Sequence, residues 1–109
     1  MSTHDILHRL SEPLASRRNA DPETSYTAQL FASGPDSILK KIGEECAELI
    51  MAGKEGKRLK IVWESTDVIY HVLVLLAFYG LSVEDVLQEL RRREGISGID
   101  EKKSRKAAK

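Results

Sequence analysis

Six side chains in two short stretches are of types that could do chemistry together. Glu44, Glu45 and Glu48 stand in "KKIGEECAELIMAGK", residues 40–54, and Glu64, Asp67 and His71 in "WESTDVIYHVLVLLAFYG", residues 63–80. Carboxylates brought this close repel one another, and a buried carboxylate calls for a partner charge, a proton or a metal. All-oxygen ligation suits a hard divalent ion, Mg²⁺ with Mn²⁺ as a substitute, far better than zinc. Mg²⁺ held by carboxylates keeps several waters and shares itself with substrate phosphates, which fits metal-assisted hydrolysis. No Gly-rich phosphate loop of the Walker type, no Ser–His–Asp set and no Cys–His set can be read, so direct attack by water fits best.

For the acids to meet, two helices must carry them. On the first, Ile38, Ile42, Cys46, Leu49, Ile50 and Gly53 are read as one apolar arc. Glu44, Glu45 and Glu48 are read as the opposite arc, with Lys41 one turn earlier. Taken alone, that is the solvated face of an amphipathic helix, with Lys40 and Lys41 as i,i+4 partners. The second helix changes the balance. "VIYHVLVLLAF", residues 68–78, is apolar almost all round, which predicts burial in a core or between subunits. Glu64, Asp67 and His71 share one face at spacings of three and four, so the two acids are expected to enter a largely dry region. His71 is read as a packing histidine hydrogen-bonded to a carboxylate.

The elements around these helices follow from punctuation. Ile6, Leu7, Leu10 and Leu14 predict a short first helix ending or interrupted near Pro13. Thr24 or Ser25 caps a second that runs through Phe31. "SGPDS" opens the third, with Asp36 or Ser37 as N-cap and its end near Gly53. After "KEGKR" the fourth runs over residues 58–79 and stops at Gly80. Ser82, with Asp85 three residues on, opens the fifth, which ends near Arg93. The remainder, "EGISGIDEKKSRKAAK", reads as loop and basic tail. No period-two stretch supports a strand. The expected fold is therefore all-α: an antiparallel bundle of about five helices over residues 1–98, with a basic tail over 99–109. Helices three and four form a hairpin on which the five carboxylates converge.

Composition narrows the class. The 109 residues carry 17 Lys plus Arg and 17 Asp plus Glu, so net charge gives no overall pull toward nucleic acid or membrane. One cysteine, Cys46, cannot form an internal disulfide, in keeping with a reducing cytoplasm. The N-terminus lacks the apolar stretch of a signal peptide. The longest apolar run, residues 72–79, is far short of the ~20 residues of a membrane span. A small chain with so apolar a helix leaves surface to cover, which favours a homodimer.

The pattern EExxE…ExxD, formed by Glu44, Glu45, Glu48, Glu64 and Asp67, resembles the metal site of the MazG-like all-α nucleotide pyrophosphohydrolases. "SYTAQLFASG", "KKIGEECAE" and "ESTDVIYHVLVLLAFYGLSVEDVLQELRRR" narrow the resemblance to the phosphoribosyl-ATP pyrophosphohydrolases of histidine biosynthesis, as does the ending "GISGIDEKKSRK". It covers about residues 5–106. It implies Mg²⁺-dependent hydrolysis of 1-(5-phosphoribosyl)-ATP to 1-(5-phosphoribosyl)-AMP and pyrophosphate, a cytoplasmic location and a helical homodimer. Carried onto this chain, it puts Glu44, Glu45 and Glu48 in catalysis and Glu45, Glu48, Glu64 and Asp67 on metal. Lys41, Tyr26, Thr27, Lys102 and Arg105 would meet substrate. Gln29 departs from the family, which often has Lys or Arg after "SYTA".

Two other readings compete. Another MazG-like NTP or dUTP pyrophosphohydrolase would share the acids but not "SYTA" or the "SGIDEKKSR" ending. A non-catalytic helical dimerisation module would leave the acids merely solvated. A basic tail serving as a nucleic-acid arm is weakened by neutral net charge and the lack of interleaved aromatics.

Overall fold

The computed structural model describes residues 4–108, and these are helical without a strand. Six α-helices follow in order: α1 (Ile6–Ser16), α2 (Tyr26–Ser33), α3 (Pro35–Glu55), α4 (Arg58–Phe78), α5 (Val83–Arg93) and α6 (Gly98–Ala108). A single 3-10 turn, Arg17–Asn19, follows α1.

The long pair α3 and α4 is the frame. Only Gly56 and Lys57 separate them, a shorter link than the five residues expected. Gly56 takes φ 70°, the left-handed conformation that closes a helix without steric cost, and its N–H reaches the carbonyl of Ala52 at 3.0 Å. A link this tight makes the two helices antiparallel neighbours along their length. Gly80 ends α4 as the sequence indicates. The Gly80 N–H donates to Ala77 at 3.1 Å and the Leu81 N–H to Leu76 at 2.8 Å, a Schellman closure.

Other ends are set locally too. The Ser25 hydroxyl accepts from the Ala28 N–H at 3.1 Å and starts α2. Ser82 and Asp85 form the expected capping box at the start of α5. Two readings are corrected. α1 does not stop at Pro13 but runs through it to Ser16. α3 starts a residue or two early: Gly34 is its N-cap and Pro35 its first residue, where a missing N–H costs nothing.

The core lies where α1, α2, α3 and α4 meet. Leu14, Leu30, Phe31, Ile38, Leu73, Val74 and Ala77 pack together there, joined by Val83 from α5. Ile38 and Val74 are fully buried. Phe31 and Phe78 stack with ring centroids 6.3 Å apart, fastening α2 to the end of α4.

The apolar helix is less covered in one chain than its sequence suggests. Leu59, Val62, Trp63 and Ile69 of α4 are exposed. A wholly apolar groove of about 200 Å³ runs between α1, α4 and α5, with Leu7, Ile69, Leu76, Val86 and Leu90 on its walls. By length and composition α4, at 21 residues, would suffice to cross a membrane, which run length alone did not indicate. In the fold it is the helix against which α1 and α3 pack.

The C-terminal segment is a further correction. It is a helix, α6, and not loop. The Asp100 N–H donates to the Ser97 hydroxyl at 3.1 Å, and Asp100 and Glu101 occupy its first turn. Glu101 is buried among arginines, 2.6 Å from Arg92 Nη2 and 2.8 Å from Arg105 Nε. These ion pairs tie α6 to the end of α5.

Candidate metal centre

Antiparallel α3 and α4 bring together three of the five acids. Carboxylate oxygens of Glu45, Glu48 and Glu64 all lie within 4.8 Å of one another. Glu48 is exposed and Glu64 half-buried, while Glu45 is buried. Oε2 of Glu45 and Oε2 of Glu64 are buried without a hydrogen-bond partner among the described residues. Burying carboxylate oxygens unpaired is costly, so this arrangement fits a cation that satisfies them. Three hard oxygen donors with open positions around them match the ligand chemistry of Mg²⁺ or Mn²⁺.

The helical wheel misplaced Glu45. It comes seven residues after Ile38 and seven before Ala52, both buried on the face that meets the core. A spacing of seven is two turns, so Glu45 lies on that inward row and not opposite it. Ile50, counted with the apolar arc, is 65 % exposed.

Asp67 is the second correction. It is exposed and stands outside the group formed by Glu45, Glu48 and Glu64. It does not enter a dry region. Glu44 is also exposed.

Lys41 supplies the one cation described at Glu45. Its Nζ is 3.4 Å from Glu45 Oε1 and 3.9 Å from Glu44 Oε2. The hydrogen bond to Glu45 is the largest influence on this ammonium and holds its pKa above the usual lysine range. Lys41 therefore covers Oε1 of Glu45, while Oε2 has no hydrogen-bond partner among the described residues. A depression of about 270 Å³ opens beside the acids, lined by Glu48, Met51, Ala52, Glu55, Lys60 and Glu64. Lys60 escaped the sequence reading, although it lies one turn before Glu64. Its Nζ is 3.8 Å from Glu55 Oε2.

The "SYTA" residues lie against α4. Tyr26 Oη is 2.8 Å from His71 Nε2, and His71 Nδ1 donates to the backbone carbonyl of Asp67 at 2.7 Å. His71 is thus a packing histidine, but its partners are a phenol and a main-chain carbonyl, not a carboxylate. Burial is the main cause that raises the Tyr26 pKa. Lys41 opposes it, while Glu45, Tyr70 and Glu44 add to it. Thr27, expected to meet substrate, is 5 % exposed, and its hydroxyl pairs with Tyr70 Oη at 2.5 Å. That hydrogen bond joins α2 to α4. Tyr70 was missed because it reads as one more apolar residue of α4.

Lys102 is exposed on α6, and the Arg105 guanidinium is held by Glu101. Within one chain no extensive packing joins α6 to α3 or α4, so neither cation is gathered with the acids.

Comparison with known proteins shows which family the sequence matches. A family model described as phosphoribosyl-ATP pyrophosphohydrolase matches residues 7–94. The chain is 88 % identical over 105 residues to the phosphoribosyl-ATP pyrophosphatase of Dechloromonas aromatica (strain RCB), covering 96 % of this chain and 97 % of that protein. The corresponding protein of Azoarcus sp. (strain BH72) is 59 % identical over 102 residues, covering 94 % and 95 %. That of Aromatoleum aromaticum is 58 % identical over 101 residues, covering 93 % and 94 %.

Proposed function

The chain belongs to the phosphoribosyl-ATP pyrophosphohydrolase family, and from that footing we propose that it hydrolyses 1-(5-phosphoribosyl)-ATP to 1-(5-phosphoribosyl)-AMP and pyrophosphate, with Mg²⁺ held by its glutamates. This is the second step of histidine biosynthesis, and the setting it implies is the cytoplasm.

The observation that carries the metal assignment is the pair of buried, unpartnered oxygens on Glu45 and Glu64, beside Glu48. Glu45, Glu48 and Glu64 are the ligands this favours. Asp67, one turn beyond Glu64, reaches the ion only from an exposed position. When bound, the ion neutralises phosphate oxygens, steadies the leaving pyrophosphate and lowers the pKa of an attacking water.

The chain's own groups do the rest. Water is the nucleophile, and the bond joining the α and β phosphates breaks. One of Glu44, Glu45 and Glu48 accepts the proton that water releases. Lys41 keeps Oε1 of Glu45 engaged, so the carboxylate presents Oε2 in a fixed direction. Its charge also favours phosphate beside the cluster.

The active form in this reading is a homodimer. Exposed Trp63, Val62, Leu59 and Ile69 and the apolar groove beside α5 are the surfaces a second copy would cover. Lys102 and Arg105 would then meet substrate across the pair or not at all.

Parallel incubation with phosphoribosyl-ATP, ATP and dUTP, with and without Mg²⁺, decides the substrate. Pyrophosphate released from phosphoribosyl-ATP alone supports the proposal. Faster release from dUTP or ATP overturns it.

A further inference from the structure

His71 is 6 % exposed, and the reaction outlined above makes no use of its ring. Its two nitrogens nevertheless have partners that fix where its proton sits. A carbonyl oxygen can only accept, so Nδ1, 2.7 Å from the Asp67 carbonyl, carries the hydrogen. In the neutral ring Nε2 then holds only a lone pair. Tyr26 Oη, 2.8 Å away, must donate its hydrogen to it. Two aromatic rings brace the imidazole. Tyr26 packs edge-on against it at 5.8 Å and Tyr70 at 5.5 Å.

A phenol whose hydrogen is committed can only accept through its remaining lone pairs. Tyr26 is 46 % exposed, and its hydroxyl feels the charges of Lys41, Glu45 and Glu44, which places it at the edge of the metal centre. Its one described hydrogen bond is to His71. Substrate phosphates are acceptors as well, so the two would repel. The ribose hydroxyls and the exocyclic nitrogen of the base are the donors such an oxygen can recognise.

We propose that Tyr26 is a fixed hydrogen-bond acceptor, set by His71 as its positioning residue, and that it takes a neutral O–H or N–H of the substrate's nucleoside part and not a phosphate. This assignment rests on the phosphoribosyl-ATP reading.

The test is steady-state kinetics of the full chain with Mg²⁺. The substrates are phosphoribosyl-ATP and analogues lacking the 2′-hydroxyl, the 3′-hydroxyl or the exocyclic nitrogen. Tyr26→Phe removes the acceptor and keeps the ring. Its KM for the natural substrate should rise roughly threefold to tenfold, as for one neutral hydrogen bond, and rise more than kcat falls. One analogue should show the same KM penalty with the parent and none with Tyr26→Phe. A ribose analogue behaving so identifies a hydroxyl, and the base analogue identifies the nitrogen. His71→Leu should raise KM similarly, and adding Tyr26→Phe to it should change KM no further, whatever happens to Tm. An unchanged KM for Tyr26→Phe overturns the proposal, as does a fall in kcat alone. Equal discrimination of every analogue by parent and variant also overturns it. A parent that ignores phosphoribosyl-ATP brings down the substrate reading itself, and this assignment with it.

Discussion

Lys41 Nζ lies 3.4 Å from Oε1 of Glu45, while Oε2 of the same carboxylate is buried with no partner at all. One side chain is thus half satisfied by a protein cation and half left open. Carboxylate oxygens of Glu45, Glu48 and Glu64 lie within 4.8 Å of one another. In the proposed reading, a divalent ion relieves the mutual repulsion of these acids.

Metal removal gives the first prediction. EDTA should abolish pyrophosphate release, and Mg²⁺ or Mn²⁺ should restore it. An ion that binds only the folded chain stabilises it by mass action, so Tm should rise with divalent concentration. Turnover that survives excess EDTA refutes the metal model.

Glu45→Gln should separate stability from activity. The amide fits the same space, gives up one negative charge and can donate to Glu48 or Glu64. Metal-free Tm should equal or exceed that of the parent, although the ion pair with Lys41 is lost. Turnover should drop by roughly 100-fold or more, about 2.7 kcal/mol of lost transition-state stabilisation. A less stable variant that still turns over would show Glu45 to be structural.

Asp67→Asn probes a side chain in a different setting. Because Asp67 is exposed, its replacement should move metal-free stability by no more than about 0.5 kcal/mol. If Asp67 completes the metal's coordination, isothermal titration should nevertheless show weaker Mg²⁺ binding. Unaltered affinity would confine the ligands to the three glutamates.

Association is tested at the apolar groove. Sedimentation should give a dimer at micromolar concentration. Ile69→Glu puts a charge on the groove wall beside Val86 and Leu90 and should shift the chain to monomer while it remains helical. A parent that sediments as a monomer would contradict the homodimer.

Acid should loosen the C-terminal end of α5 before the core. Hydrogen bonds from Arg92, then Arg93, hold the Glu89 pKa down to about 2, against an ordinary value of 4.5. A depressed carboxylate pKa means its stabilising effect is complete above pH 4.5 and is lost as pH falls through about 2. Protection of the amides near Arg92 and Arg93, relative to their intrinsic exchange rates, should accordingly stay constant from neutral pH to about 4.5 and decline below it. Truncation after Gly95 removes Glu101 from the same cluster. If α6 meets substrate, that truncation should raise KM for phosphoribosyl-ATP. Unchanged KM would leave Lys102 and Arg105 to solvent.

Much of the fold was written in short spacings. The caps at Ser25 and Ser82, the closure at Gly80 and the long antiparallel hairpin each depend on residues within a few positions of one another, so the sequence alone determined them. So did the identity of the five acids and the hard-cation chemistry they suit. What tertiary structure decided is which acids face inward. Glu45 sits on an amphipathic helix and Asp67 on one apolar almost all round, yet the first is buried and the second exposed, because burial depends on the neighbour that each face meets. Thr27 looked available and is engaged by Tyr70, forty-three residues away. α6 lacks an apolar stripe and read as tail. Its place comes from Glu101 reaching Arg92 across nine residues, and periodicity carries no signal of such an ion pair. Local sequence sets backbone conformation through steric and hydrogen-bonding preferences over one or two turns. Which side chains lose their water is set only when distant segments pack.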